Sequence, residues 1–120
     1  MDEREFKRRT KGLGLGVIRL IEALPRGRTA DVVGRQLVRS ATSVGANYRA
    51  ACRGRSVADV VAKLGIVLEE ADETIYWLEI LVESGIVPAN KVASLVTEAD
   101  ELVAMTVASI KTLKSRARLI

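Results

Sequence analysis

Residues 30–60 read ADVVGRQLVRSATSVGANYRAACRGRSVADV. Val33, Leu37, Ala41, Val44, Tyr48 and Ala51 recur there every three or four residues, the spacing that lines up side chains on one face of an α-helix. The stripe stops at Gly54, a residue that tolerates the left-handed conformation common just past a helix end. Ser56-Val57-Ala58-Asp59 then has the form of a capping box, so another helix opens almost at once. Helix, tight break and helix make an antiparallel hairpin.

The same periodicity extends outward on both sides. A first helix is predicted from Arg4 to Leu24, carrying Phe6, Leu13, Val17, Leu20 and Ile21 and stopped by Pro25 and Gly27. The second runs from Ala30 to Arg53 and the third from Ser56 to Ser84, where Gly85 ends it. A fourth runs from Pro88, a residue suited to a first helical position, to Lys114. Each helix is roughly 30–40 Å long at the helical rise. Similar lengths and short connections predict an all-α, antiparallel up-down-up-down four-helix bundle, one domain over residues 1–120.

Composition narrows the chemistry. A chain of 120 residues that is 48% hydrophobic can bury a core without metals or disulfides. There is no histidine, which removes serine–histidine and cysteine–histidine nucleophile pairs and the usual general base near neutral pH. Cys52 is alone, so it forms no internal disulfide and finds no second thiolate for zinc. Neither catalytic residues nor a cofactor or metal site are expected. The start, Met1-Asp2-Glu3, is unlike a signal peptide, no apolar run is long enough to span a membrane, and a cytoplasmic protein is expected.

Charge is unevenly distributed. Residues 1–55 carry a net +8, residues 56–86 a net −6, and the remainder +2. Arg35, Arg39, Arg49 and Arg53 lie near one line along the second helix, a stripe suited to phosphates or to the acids of the third helix. The antiparallel register brings Arg39 level with Glu70 and Arg49 level with Asp59. Arg35, Arg39, Glu70 and Glu73 are therefore assigned to structure or assembly, and Ser40, Ser43 and Asn47 to a polar seam hydrogen-bonded within the bundle. The remaining basic groups form three clusters: Lys7, Arg8, Arg9 and Lys11; Arg49, Arg53 and Arg55; and Lys111, Lys114, Arg116 and Arg118. Alternating helix directions bring all three to one end of the bundle, as a nucleic-acid-binding surface. Gly12, Gly14 and Gly16 follow no strand and read as sites of close helix packing, not as a dinucleotide fingerprint.

Glu69-Glu70-x-x-Glu73 resembles the magnesium-holding spacing of all-α nucleotide pyrophosphatases of the MazG type, with Glu98 and Glu101 as a second set. That is the enzymatic alternative; a purely structural assembly protein is another. A wider resemblance rests on Gln36 through Ala51, with its block Arg39-Ser40-Ala41-Thr42-Ser43-Val44-Gly45-Ala46-Asn47, then Arg53-Gly54-Arg55-Ser56. Lys63-Leu64, Glu69 to Glu73 and Tyr76-Trp77-Leu78-Glu79 add a second block. The chain resembles the bacterial four-helix-bundle family of ribosomal RNA intervening sequences, which includes the accessory variability determinant of diversity-generating retroelements. The resemblance implies a homopentameric barrel. For retroelement members it also implies a basic surface for nucleic acid, RNA or DNA, and a reverse-transcriptase partner. A non-enzymatic oligomeric scaffold is the expected function.

Overall fold

A computed structural model describes residues 2–118. Four long helices account for most of it: α1 (Glu3–Glu22), α2 (Arg28–Cys52), α3 (Val57–Glu83) and α4 (Ala93–Arg118), with a short 3₁₀ turn at Ala89–Lys91 before α4. Neighbours pack in the order α1–α2–α3–α4, and α1 meets α4 over a shorter stretch, so α1 and α3 stand at opposite corners. The bundle measures 54 × 20 × 20 Å.

Local chemistry sets the ends. The Asp2 carboxylate accepts from the Glu5 amide at 2.7 Å to start α1, and the Ser56 hydroxyl accepts from the Asp59 amide at 3.1 Å to start α3. Asp59 reaches back one residue further than a capping box requires, accepting from the Arg55 amide at 3.1 Å. At the other end of α3, Gly85 has φ 80°. Its amide donates to the Val82 carbonyl and the Ile86 amide to the Leu81 carbonyl, both at 3.0 Å. This paired closure satisfies carbonyls the helix leaves open and needs a residue free to take positive φ. The start of α4 differs from expectation. Pro88 precedes the 3₁₀ turn instead of opening the α-helix, and that tighter winding lets both Val87 and Val92 enter the core. At its far end α4 continues to Arg118, past the expected Lys114.

The core has two parts. Val17, Val33, Leu37, Leu78, Leu81 and Val92 fill the half near the α3–α4 connection. Phe6, Leu13, Val44, Val67, Ala99 and Leu102 fill the half near the α2–α3 turn, where Phe6 stacks on Tyr48 with ring centroids 4.3 Å apart. Four buried hydroxyl residues are absorbed locally. Thr10 donates to the Phe6 carbonyl at 2.9 Å and Thr106 to the Leu102 carbonyl at 2.7 Å, while Ser40 and Thr74 meet across α2 and α3 at 3.1 Å. Gly14 and Gly45 let α1 and α2 approach. A methyl at 45 would stand 3.4 Å from the α1 backbone at Thr10 and Lys11, and one at 14 would stand 3.5 Å from Thr42.

Candidate nucleic-acid interface

The starts of α1 and α3 and the ends of α2 and α4 meet at one end of the bundle, around a cleft of about 660 Å³ whose rim includes Glu3, Cys52, Val60 and Arg116. Basic side chains ring this end. On one flank a groove of about 650 Å³ runs between α1 and α2, with Arg4, Lys7, Arg8, Lys11 and Arg49 on its walls and Gly14, Gly45 and Ala46 on its floor. Around the α2 terminus a shallow notch of about 540 Å³ is lined by Arg53, Arg55 and Lys63, with Asp59. Lys111, Lys114 and Arg118 are exposed on the last turns of α4.

Availability separates these cations. Lys7 has only a 3.6 Å contact to Glu3, and Arg8 pairs with Glu5 one turn away; both pairs are exposed. Such pairs contribute little in water and yield readily to a phosphate. Lys11, Arg49, Arg53, Arg55 and the four basic residues of α4 form no ion pair among the described residues. Arg49 in particular is not held by Asp59, because Lys63 takes that carboxylate at 2.9 Å. Lys63 and the Arg55 amide together hold the Asp59 carboxyl below its usual range, the lysine contributing most.

Arg9 departs from the expected surface. It turns away from the groove toward α4, where its Nε donates to Glu98 at 2.9 Å and a second nitrogen reaches the other Glu98 oxygen. The same guanidinium donates to Glu101 at 3.0 Å and lies 3.4 Å from the Met105 sulfur. Its side chain is 18% exposed. The Glu98 hydrogen bond above all pushes its pKa further up, so Arg9 ties α1 to α4 as a permanent cation.

The residues assigned to structure are spread over different partners. Arg39 donates to Glu70 at 3.1 Å and also pairs with Glu73, and the Trp77 indole donates to the same Glu73 carboxylate at 3.1 Å. Arg35 has no acidic partner among the described residues and is exposed, against the expectation of pairing with α3. Asn47 and Ser43 form no cross-helix bond among the described residues. The Asn47 amide donates to the Ser43 carbonyl of its own helix at 2.8 Å. Among the described residues, Ser40 alone of that seam hydrogen-bonds to another helix.

The carboxylates of the enzymatic alternative are divided. Glu70 and Glu73 are turned to Arg39 of α2, and Glu98 and Glu101 to Arg9 of α1. Among the described residues no three acidic or thiol side chains are grouped as metal ligands. Cys52 is half-buried, and burial is the first cause of its raised pKa. No described helix is long and apolar enough to cross a membrane.

Arg4, on the groove wall, lies outside the three basic clusters that the sequence marks. Its signal is nonetheless in the sequence, since Arg4, Arg8 and Lys11 follow one helical line. Leu15 and Ile18, 48% and 38% exposed, also line this groove.

A search of curated proteins finds no match. A solved structure described as a protein of unknown function from the S23 ribosomal protein family of Bacteroides thetaiotaomicron VPI-5482 is 32% identical, with a TM-score of 0.85. The match covers 92% of this chain and 99% of that one. A family described as 23S rRNA-intervening sequence protein matches over residues 3–108, from the first turn of α1 to beyond the middle of α4. The match thus takes in α1, α2 and α3, the groove between α1 and α2 and the first part of α4, and the chain belongs to the 23S rRNA-intervening sequence protein family.

Proposed function

We propose that this protein is a non-enzymatic, homo-oligomeric scaffold that holds nucleic acid at the basic end of its bundle. The observation that carries the reading is the gathering of Arg49, Arg53, Arg55, Lys111 and Lys114 toward one end, with Lys11 on the adjoining groove, none of them in an ion pair among the described residues. Unpaired cations around a shallow groove suit a phosphate backbone and impose no base sequence. With only four aromatic residues, and with Phe6 and Tyr48 stacked on each other, the surface lacks a base-stacking platform. The ligand class is RNA or DNA, and the ribosomal RNA in the family name makes RNA the first probe. A nucleic-acid-processing enzyme, such as the reverse transcriptase that the retroelement resemblance implies, would share that ligand.

Assembly as a ring, a pentamer by the same resemblance, would repeat the basic end around one rim and add weak contacts into useful avidity. Binding of a fluorescent RNA duplex by the parent and by Arg53→Glu/Arg55→Glu tests the reading. Loss of binding on charge reversal is expected; unchanged binding removes this end as the surface.

A further inference from the structure

The cleft at the basic end has an interior unlike its surroundings. Its floor is apolar, with Phe6 and Leu64 each 4% exposed, and its walls include the half-buried side chains of Tyr48, Cys52, Met105 and Leu113. All four helices contribute, but unequally. α4 lines the cleft from Met105 to Arg116, about 16 Å at the helical rise, whereas α1, which opens at Glu3, supplies only Glu3 and Phe6. The sequence shows why the core stays open here. Farther along the bundle, inward positions carry Leu37, Leu78 and Leu81, all closed to solvent. At this end they carry Ala51, Cys52, Val60 and Ser109, smaller side chains that leave space between the helices unfilled.

Volume and polarity narrow what fits that space. The cleft's 660 Å³ lies within the range of small-molecule sites, about 300–1,000 Å³, which are mostly apolar with a few placed polar groups. A phosphate backbone gains nothing from apolar walls. The mouth is cationic. Arg116 lines it, exposed and without an ion pair among the described residues, and Lys111 and Lys114 are exposed on the same turns of α4. Glu3, the one acidic group of the lining, has the Lys7 ammonium 3.6 Å away. The Cys52 thiol, pushed up in pKa first of all by burial, is uncharged at neutral pH and belongs to the apolar wall.

We infer that this cleft binds a single-chain amphiphile with an anionic head, its alkyl chain between Tyr48, Cys52, Met105 and Leu113 and its head at Arg116. A guanidinium takes a carboxylate through two parallel hydrogen bonds, and burial of the chain supplies the apolar part of the affinity. A lining that extends along three turns of α4 suits an extended chain better than a compact ring system. The site goes beyond the nucleic-acid reading and does not depend on it, because the phosphate contacts at Arg53 and Arg55 lie outside the cleft.

Cys52 is the only cysteine, so its alkylation by N-ethylmaleimide reports directly on the cleft. Decanoate, kept below its micelle concentration and at fixed pH, should slow that alkylation several-fold. Acetate at the same concentration has the head without the chain and should leave the rate unchanged. Decanol, the chain without the charge, should bind at least about tenfold more weakly than decanoate, the contribution of a charge-assisted hydrogen bond. Arg116→Gln should weaken decanoate and leave decanol unchanged. Cys52→Phe places a ring in the cleft and should abolish decanoate binding measured by calorimetry, with helical circular dichroism unchanged. Thiol protection in the parent decides the matter even where Cys52→Phe does not fold. An alkylation rate that decanoate leaves unchanged, equal slowing by acetate, equal affinity for decanol and decanoate, or decanoate binding unmoved by Arg116→Gln or by a folded Cys52→Phe overturns the inference.

Discussion

Replacing Arg9 by Met tests whether one ion pair closes the bundle. Methionine keeps most of the unbranched apolar stem and removes the charge and every donor. α1 and α4 share the shortest contact among neighbouring helices, and the Arg9 cluster is their only ion pair among the described residues. Removing one partner of a fully buried pair costs about 3–5 kcal/mol, whereas an exposed pair contributes about 0.2–1 kcal/mol. With Arg9 18% and Glu98 29% exposed, this pair lies between those limits. A loss of about 2–3 kcal/mol is expected, since Glu98 is left partly buried without its cation. That corresponds to a fall in Tm of about 8–12 °C for a chain of this size. Urea unfolding of Arg9→Met, Glu98→Gln and the double variant should give a coupling of about 1–2 kcal/mol. Glu101→Gln should cost less, because Glu101 is 55% exposed. Nucleic-acid affinity should be unchanged in Arg9→Met where the fold is intact. A single variant within about 0.5 kcal/mol of the parent, the range of an ordinary surface change, or a coupling near zero would refute the reasoning.

Two further predictions use the helix ends and the helix middle. Gly12 sits mid-helix with open space where a methyl would go, so Gly12→Ala should stabilise by about 0.5–1 kcal/mol. Gly85→Ala should instead destabilise by about 1–2 kcal/mol, since φ there is 80°. Thermal melts of both variants check the opposite signs. The third concerns acid. Asp59 has a lowered pKa in the folded chain, chiefly from Lys63, so its stabilisation is present above the ordinary carboxylate pKa of about 4 and is lost as pH falls through the lower folded value. Unfolding measured from neutral pH downward should show a shallower acid loss in Asp59→Asn than in the parent; equal slopes would remove the Asp59 contribution.

Most of the fold was legible because it depends on a repeat. Val33, Leu37, Ala41 and Val44 mark the buried face of α2 whatever packs against them, and Ser56 and Gly85 mark ends through their own backbone chemistry. The start of α4 was not legible, because the 3₁₀ turn answers to the burial of Val87 and Val92 in a core built by other helices. The candidate surface divides the same way. Convergence of the basic clusters follows from helix direction alone. Which of three successive basic residues, Lys7, Arg8 or Arg9, turns inward depends on the face α1 shows to α4, and Glu98 lies 89 positions away. Ser43 and Asn47 misled for a related reason: polar side chains beside an apolar stripe can satisfy themselves on their own helix, as Asn47 does.

The central claim is electrostatic binding at the basic end, and a salt series measures it most directly. Titrating the parent against a fluorescent RNA duplex and a DNA duplex of the same length, at several salt concentrations, gives the slope of log Kd against log salt. Each neutralised phosphate contributes about 0.7–0.9 to that slope. The account predicts a steep slope of about 3–4, corresponding to four or five phosphates, similar affinity for unrelated sequences, and loss of both affinity and slope in Arg53→Glu/Arg55→Glu. Affinity independent of salt, or unchanged by that double reversal, would contradict it.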